Sequence, residues 1–130
     1  MSGFAMTKAV QSTYEEALAK IPELLKAQGF GILTEIDVKD TLKKKINVDF
    51  RRYKILGACH PPSAHRALTA TADAGLLLPC NVVVYEGDDG KTVVSAIDPV
   101  ATLGAQNQPQ LSEIAADVRS RLLKVLEGLR

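Results

Sequence analysis

Residues 80–98 read CNVVVYEGDDGKTVVSAID, and this stretch decides the fold. Two runs rich in β-branched residues, 80–86 and 91–98, flank a loop of two aspartates between two glycines. Asp and Gly tolerate the backbone conformations of tight turns, so the pattern predicts a β-hairpin. The last two strands of the chain are therefore expected to be antiparallel neighbours.

Three further strands are predicted before the hairpin, at residues 4–10, 30–38 and 52–58. The first two flank a helix. Ser12 and Glu15 stand at the spacing of a capping box, and Gly29 is suited to the residue that follows a helix. Pro22 falls inside this helix and predicts a kink, because proline lacks the backbone N–H and clashes with the preceding turn.

Three more helices complete the pattern. Residues 39–47 form a short one, with Val38, Leu42 and Ile46 spaced along its inner side. The next starts at His60-Pro61-Pro62, because prolines fit a first turn, and it carries Ala64, Ala67 and Leu68 and ends before Gly75. The last has one continuous apolar stripe, made of Leu111, Ile114, Ala115, Val118, Leu122, Val125, Leu126 and Leu129.

The predicted order is β-α-β-α-β-α-β-β-α. It indicates an α+β fold with a curved, mostly antiparallel sheet of about five strands and helices packed on one side. A doubly wound parallel sheet would need longer crossover helices than residues 39–47 provide. At 130 residues and without internal repeats, we expect one domain, 1–130.

Composition indicates a globular protein of the cytoplasm. Hydrophobic residues make up 46% and charged residues 24% of the chain. The N-terminus lacks the pattern of a signal peptide, and the most apolar stretch, 75–85, is too short to span a bilayer. We therefore expect a cytoplasmic protein that has no membrane partner and whose two cysteines are reduced.

The net charge of +1 conceals a basic stretch. Residues 39–54 hold seven basic and two acidic residues, whereas the remainder holds nine basic and thirteen acidic ones. Lys43, Lys44 and Lys45 are consecutive, so they fan around a helix and do not line one face. Because the chain is not basic overall, we expect a solvated helix and no nucleic-acid partner.

The scarce reactive side chains cluster at strand ends. Cys59 lies just after the third predicted strand, His60 follows it, and Cys80 begins the fourth. If these strands are antiparallel neighbours, the two thiols share one edge of the sheet. They could then hold zinc or a similar divalent metal together with His60, form a redox-active thiol pair, or be small buried apolar residues.

Two other side chains near this edge have simpler interpretations. Asp98 ends the hairpin and its carboxylate could join the two thiols, although Asp before Pro is also ordinary turn chemistry. His65 is five residues from His60, which separates the two imidazoles by about 140° on a regular helix. We expect His65 to face solvent.

Two blocks carry a family resemblance. Residues 55–62, ILGACHPP, and 75–86, GLLLPCNVVVYE, resemble motifs of the uncharacterised prokaryotic domain-of-unknown-function family three hundred and two. The likeness covers nearly the whole chain. It implies a small α+β fold similar to the architecture of the TATA-binding protein, seen as a homodimer, and it implies no established reaction. The family often has Asn where this chain has His60, so a metal role for His60 would be particular to this protein.

These observations favour a binding protein, with no recognisable catalytic signature. We expect a homodimer that binds a small ligand or a metal near Cys59, His60 and Cys80. One alternative is a thiol-dependent enzyme or sulfur carrier that uses Cys59, with Cys80 as the resolving residue. Another is a purely structural or interaction subunit.

Overall fold

A computed structural model describes residues 3–130; Met1 and Ser2, the first residues of the predicted domain, lie outside this range. The elements in chain order are β1 (Ala5–Val10), α1 (Tyr14–Ala27), β2 (Gly31–Asp37), α2 (Val38–Ile46), β3 (Tyr53–Cys59), α3 (Pro61–Ala70), β4 (Cys80–Glu86), β5 (Thr92–Ile97) and α4 (Pro109–Glu127). Two short 3-10 helices, Ala72–Leu77 and Leu103–Ala105, were not expected from the sequence. The predicted order of strands and helices is otherwise confirmed.

The strands form one open sheet in the order β1-β5-β4-β3-β2, and every adjacent pair is antiparallel. A register shift between Ile32 and Thr34 marks a bulge in β2. The helices lie on one side of the sheet. The expected α+β class, with about five antiparallel strands and helices on one side, is confirmed.

One face of the sheet and the helices enclose the hydrophobic core. Alternate residues of the central strands, such as Val82, Val84 and Val94, point into it and are almost fully buried. All eight residues of the predicted stripe are buried against them, seven in α4 and Leu129 just after its end. The stripe is therefore the helical half of the core.

The predicted capping box is displaced by one residue. Thr13, not Ser12, caps α1: its hydroxyl accepts a hydrogen bond from the Glu16 N–H, and the Thr13 N–H donates to the Glu16 carboxylate. Ser12 instead donates its hydroxyl and its N–H to the Arg130 carbonyl. Ser12 with Glu15 and Thr13 with Glu16 have the same capping-box spacing. Because the Ser12 hydroxyl is bonded to the C-terminal residue, Thr13 is the residue that caps the helix.

Two helix faces differ from prediction. α2 buries none of its residues, and Ile46, expected on its inner side, is 62% exposed. The helix contacts only β2 and β3 closely, so no other element covers it. Leu68 on α3 is also exposed, because Ser63 and Ala67 form the buried side of that helix.

The other face of the sheet has no helix over it. The register aligns Thr7, Ser95, Val83, Ile55 and Ile36 in one row across all five strands. With the rows on either side, this "open face" consists of Ala5, Thr7, Ala9, Thr34, Ile36, Tyr53, Ile55, Gly57, Asn81, Val83, Tyr85, Val93, Ser95 and Ile97. None of these fourteen residues is charged, whereas 24% of the residues in the whole chain are charged.

Candidate functional site

A small apolar cavity lies where β3 ends, β4 begins and α3 starts. Its volume is about 20 Å³, enough for one water molecule. Residues of the sheet edge, of α3 and of α4 line it: Phe30, Ala58, Cys59, His60, Ser63, Ala64, Leu78, Pro79, Cys80, Pro99, Leu103, Ile114 and Val118. Three of the four candidate residues from the sequence, Cys59, His60 and Cys80, are among them.

The antiparallel pairing of β3 and β4 brings the two cysteines to this cavity. Ala58 is opposite Cys80, so Cys59, the last residue of β3, is one step along the strand from that pair. Both cysteines are free. Cys80 is 7% exposed, whereas Cys59 is only partly buried.

The cavity keeps both thiols protonated at neutral pH. Burial, together with the smaller effect of the charge of an ionised Cys59, raises the pKa of Cys80 to about 11. Burial also raises the pKa of the Cys59 thiol above its usual range. An activated nucleophilic cysteine has a lowered pKa, so the arrangement does not favour a thiolate at either position.

The His60 imidazole is held by three neighbours. Its Nδ1 lies 2.6 Å from the hydroxyl oxygen of Ser63, which is buried. Its ring meets the ring of Phe30 edge-on, with the centroids 5.6 Å apart. Gly29, at φ +84°, has no side chain, and a Cβ there would lie 3.0 Å from His60 Cδ2. The imidazole therefore has a defined position against the loop after α1.

Burial and a nearby cation keep this imidazole neutral. Burial lowers the pKa of His60, the Arg121 guanidinium lowers it further, and the Asp117 carboxylate opposes them. Arg121 itself is fixed, since it donates to the Gln28 carbonyl at 3.0 Å and to the Asp117 carboxylate at 3.0 Å. Both thiols and the imidazole therefore present uncharged groups at neutral pH.

Asp98 does not line the cavity. Its carboxylate accepts from the Val100 N–H at 2.9 Å and from Arg119 Nε at 3.2 Å. The first bond is the ordinary turn chemistry of Asp before Pro, and the second links the end of β5 to α4. The neighbouring Pro99, not Asp98, contacts the cavity.

The candidate metal ligands do not form a cluster within residues 3–130. In that range, no group of three or more His, Cys, Asp and Glu side chains is arranged so that it could hold a metal ion. The Nδ1 of His60 is already paired with Ser63.

The basic stretch is largely paired with acidic side chains. Lys43 pairs with Asp49, Lys44 with Asp40, Arg51 with Asp88, Arg52 with Glu15 and Glu86, and Lys54 with Glu35. Two of these pairs lie within the stretch, and the partners of the other three basic residues lie in α1, β2, β4 and the loop after β4, so spacing within the stretch does not reveal those. In the part of the chain that the structure describes, no helix is both long enough and apolar enough to cross a membrane.

Sequence reasoning missed Ser63 and the open face. Ser63 stands three residues after His60, at the third position of α3, and this spacing is the one signal for their contact.

On the open face, Tyr53 and Tyr85 stack with centroids 5.2 Å apart and ring planes 8° apart. A groove of about 350 Å³ lies beside this pair. The lack of charge at alternate positions of all five strands could have indicated the face.

Comparison with known proteins identifies the family. Residues 6–129 match the family described as Domain of unknown function DUF302. The chain is similar to a solved structure, that of an uncharacterised conserved protein DUF302 from Bacillus stearothermophilus, with 35% identity and a TM-score of 0.91. The match covers 99% of this chain and 100% of that one. No curated protein matches. The chain therefore belongs to the DUF302 family.

Proposed function

We propose that the protein is a binding protein of the cytoplasm that works as a homodimer, and that two copies associate through the open face. The observation that carries this proposal is the absence of charge on that face. Identical surfaces with net charge repel each other, whereas identical uncharged surfaces do not. A second copy of this chain is therefore a suitable partner for the face.

Exposed apolar side chains border the open face on one side. The structure describes nine large hydrophobic residues that are exposed, and five of them fall within residues 33–50: Leu33, Ile36, Ile46, Val48 and Phe50. The segment 31–50, which comprises β2, α2 and the loop after α2, buries none of its residues. Such a concentration of exposed apolar surface is typical of a contact surface.

Aromatic residues connect this segment to the open face. The ring of Phe50 lies 6.2 Å from that of Tyr53, and Tyr53 stacks on Tyr85. Tyrosine and phenylalanine are enriched at protein interfaces, because they bury a large area at low conformational cost. The aromatic row extends the apolar surface from the loop after α2 to β4.

The size of the surface suits a dimer. Five strands about 4.8 Å apart and six residues long, at about 3.3 Å each, make a face of roughly 500 Å². Two copies would bury roughly 1,000 Å², which reaches the lower range of specific interfaces before segment 31–50 is added. The open face alone therefore supports a weak dimer, and segment 31–50 would strengthen it.

Sedimentation velocity over a concentration series tests this proposal. We expect wild type to sediment as a dimer, and Val83→Lys, at the centre of the open face, to sediment as a monomer with unchanged circular dichroism. Gln110→Lys adds the same charge at an exposed position of α4 and should remain dimeric. A wild-type monomer at every concentration, or equal dimerisation of both variants, would refute the proposal.

A second candidate function is supported by the cavity, where Cys59, His60 and Cys80 converge. We propose that it holds one neutral group about the size of a water molecule, such as the end of a neutral ligand, because its volume is about 20 Å³, its lining is apolar and its polar groups are uncharged at neutral pH. Zinc is the probe that separates this proposal from metal binding. We expect no stoichiometric zinc in protein purified without a metal-binding tag, and no rise in melting temperature on adding Zn²⁺. Stoichiometric zinc that is lost in Cys59→Ser would replace the neutral ligand by a metal.

A further inference from the structure

We propose that the tyrosine ridge, Tyr53 with Tyr85, docks into the groove beside it on a second copy, so that two open faces interlock. This inference rests on the proposed dimer and adds the orientation of its two copies. The two tyrosines stack on each other and also line the groove of about 350 Å³, so a ridge and a depression are neighbours on one face. A two-fold dimer needs such a surface, because whatever protrudes from one copy must meet a depression on the same face of the other.

The strand register explains why a ridge lies beside a groove. Tyr53 and Tyr85 are directly opposed on β3 and β4. Two residues away along the strands, the neighbouring row includes Thr7, Ser95 and Val83, which point to the same face and carry much smaller side chains. All three line the groove. A tall row and a short row are therefore adjacent on the open face.

One two-fold axis forms both contacts at once. An axis that runs across the strands, between the two rows, places the ridge of each copy over the groove of the other. The rows are about 7 Å apart, since each residue of a strand rises about 3.3 Å. The second copy is therefore displaced toward the end of the sheet where the ring of Phe50 lies 6.2 Å from that of Tyr53. This displacement covers Phe50, an exposed residue of segment 31–50, and adds to the contact area.

The polar atoms of the groove suit a tyrosine. A tyrosine hydroxyl that becomes buried needs a hydrogen-bond partner. The groove supplies one, because the hydroxyls of Thr7 and Ser95 lie 2.8 Å apart in its lining and their oxygens can accept a further bond. No residue of the ridge or of the groove is charged. Docking therefore removes no ion from water, a step that would oppose association.

A pair of complementary variants tests the docking. Ser95→Trp fills the groove and Tyr85→Ala removes half of the ridge, so we expect each variant alone to associate at least about tenfold more weakly than wild type. In an equimolar mixture, we expect a heterodimer. The intact ridge of the Ser95→Trp chain enters the intact groove of its partner, and the introduced indole occupies the space that the removed phenol leaves. Native mass spectrometry, at a concentration at which wild type is dimeric, distinguishes the two chains by mass.

Thr69→Ala is the matched control, because it shortens an exposed side chain of α3, away from the open face. It should form homodimers as wild type does, and no heterodimer with Ser95→Trp, since its ridge would meet a filled groove. If Ser95→Trp dimerises as tightly as wild type, or if the two open-face variants form no heterodimer, the docking is wrong and the proposed dimer stands. A wild-type monomer at every concentration would overturn both.

Hydroxyl-radical footprinting of wild type is a second test that needs no variant. When the protein concentration rises from the monomer range to the dimer range, we expect the oxidation of Tyr53 and Tyr85 to fall, because their rings become buried. Leu76, which is 84% exposed in the 3-10 helix Ala72–Leu77, should be oxidised at a constant rate. Dimerisation that leaves both tyrosines as reactive as in the monomer would contradict the docking.

Discussion

The Nδ1 atom of His60 lies 2.6 Å from the hydroxyl oxygen of Ser63, and this hydrogen bond joins the end of β3 to the first turn of α3. His60 is the residue before the helix, and two prolines follow it. Proline has no N–H to be capped, so a side chain at this position is free to bond elsewhere. The bond places the imidazole beside the cavity that both cysteines line.

Removing the Ser63 hydroxyl should destabilise the fold. Ser63→Ala leaves Nδ1 of a partly buried imidazole without its partner, and we expect a loss of about 1–2 kcal/mol in the free energy of unfolding. Urea denaturation at neutral pH measures it. Thr69→Ala is the matched control, since Thr69 lies on the same helix, is exposed and bonds only to the His65 carbonyl. Its cost should stay within about 0.5 kcal/mol. Equal losses in both variants would mean that the His60 contact contributes nothing.

The same imidazole should make stability depend on pH. Its pKa is lower in the folded protein than its unfolded value of about 6.5, so the unfolded chain binds the proton more tightly. This contribution to stability is therefore complete above about pH 6.5 and is lost as the pH falls through the folded pKa. The midpoint of urea unfolding, measured from neutral pH to mildly acidic pH, should fall.

Two histidine variants isolate the source of that fall. His60→Asn should flatten the part of the decrease just below about pH 6.5, because the titrating group is gone. His65→Asn should keep it, since His65 is exposed on α3. A midpoint that falls as steeply in His60→Asn as in wild type would assign the effect to another group.

Gly29 should not tolerate a side chain. Its φ of +84° disfavours L residues, and a Cβ there would meet the edge of the His60 ring at 3.0 Å. We expect Gly29→Ala to lose about 1–3 kcal/mol in the free energy of unfolding.

Two glycines separate the causes of that loss. Gly90 also has a positive φ, +80°, but nothing lies within 4 Å of its Cβ position. Gly90→Ala should therefore show the backbone strain alone, about 1 kcal/mol. Gly31 has open space and an ordinary φ, so Gly31→Ala should be nearly neutral. If Gly29→Ala costs no more than Gly90→Ala, the ring contact is unimportant.

The fold was predictable because its elements have strong local signals. The hairpin at residues 80–98 has turn residues between β-branched runs, and the apolar stripe of α4 repeats over five turns. The predictions were wrong where a contact between residues distant in sequence determines the local structure. The Arg130 carbonyl takes the hydrogen bonds of Ser12 and so moves the cap to Thr13. No local pattern encodes that contact.

The position of the two cysteines was predictable from the sequence, but the partners and the pKa values of the side chains near them were not. Adjacent antiparallel strands were expected to bring Cys59 and Cys80 to one edge, and the register does so. The pairing of Asp98 with Arg119 could not be read from the sequence, because the two are brought together by the packing of α4. Burial of the thiols depends on side chains far apart in the sequence, from Phe30 to Val118, so their raised pKa values also required the structure.

Thiol titration should distinguish the two cysteines. Because burial raises the pKa of Cys80 to about 11 and also raises that of Cys59, neither should react rapidly at neutral pH. With a disulfide reagent and folded protein, we expect one thiol per chain to react, at a rate that still increases above about pH 8.5.

The variants assign that thiol. Cys59→Ser should abolish the reaction of the folded protein, and Cys80→Ser should leave its rate and pH dependence unchanged. Both cysteines should react once the protein is unfolded, since their burial is then lost. A rate that reaches its plateau below about pH 8.5 would show an ionised thiol at neutral pH. That result would favour the thiol-dependent enzyme over the binding protein, because a lowered pKa is what a nucleophilic cysteine requires.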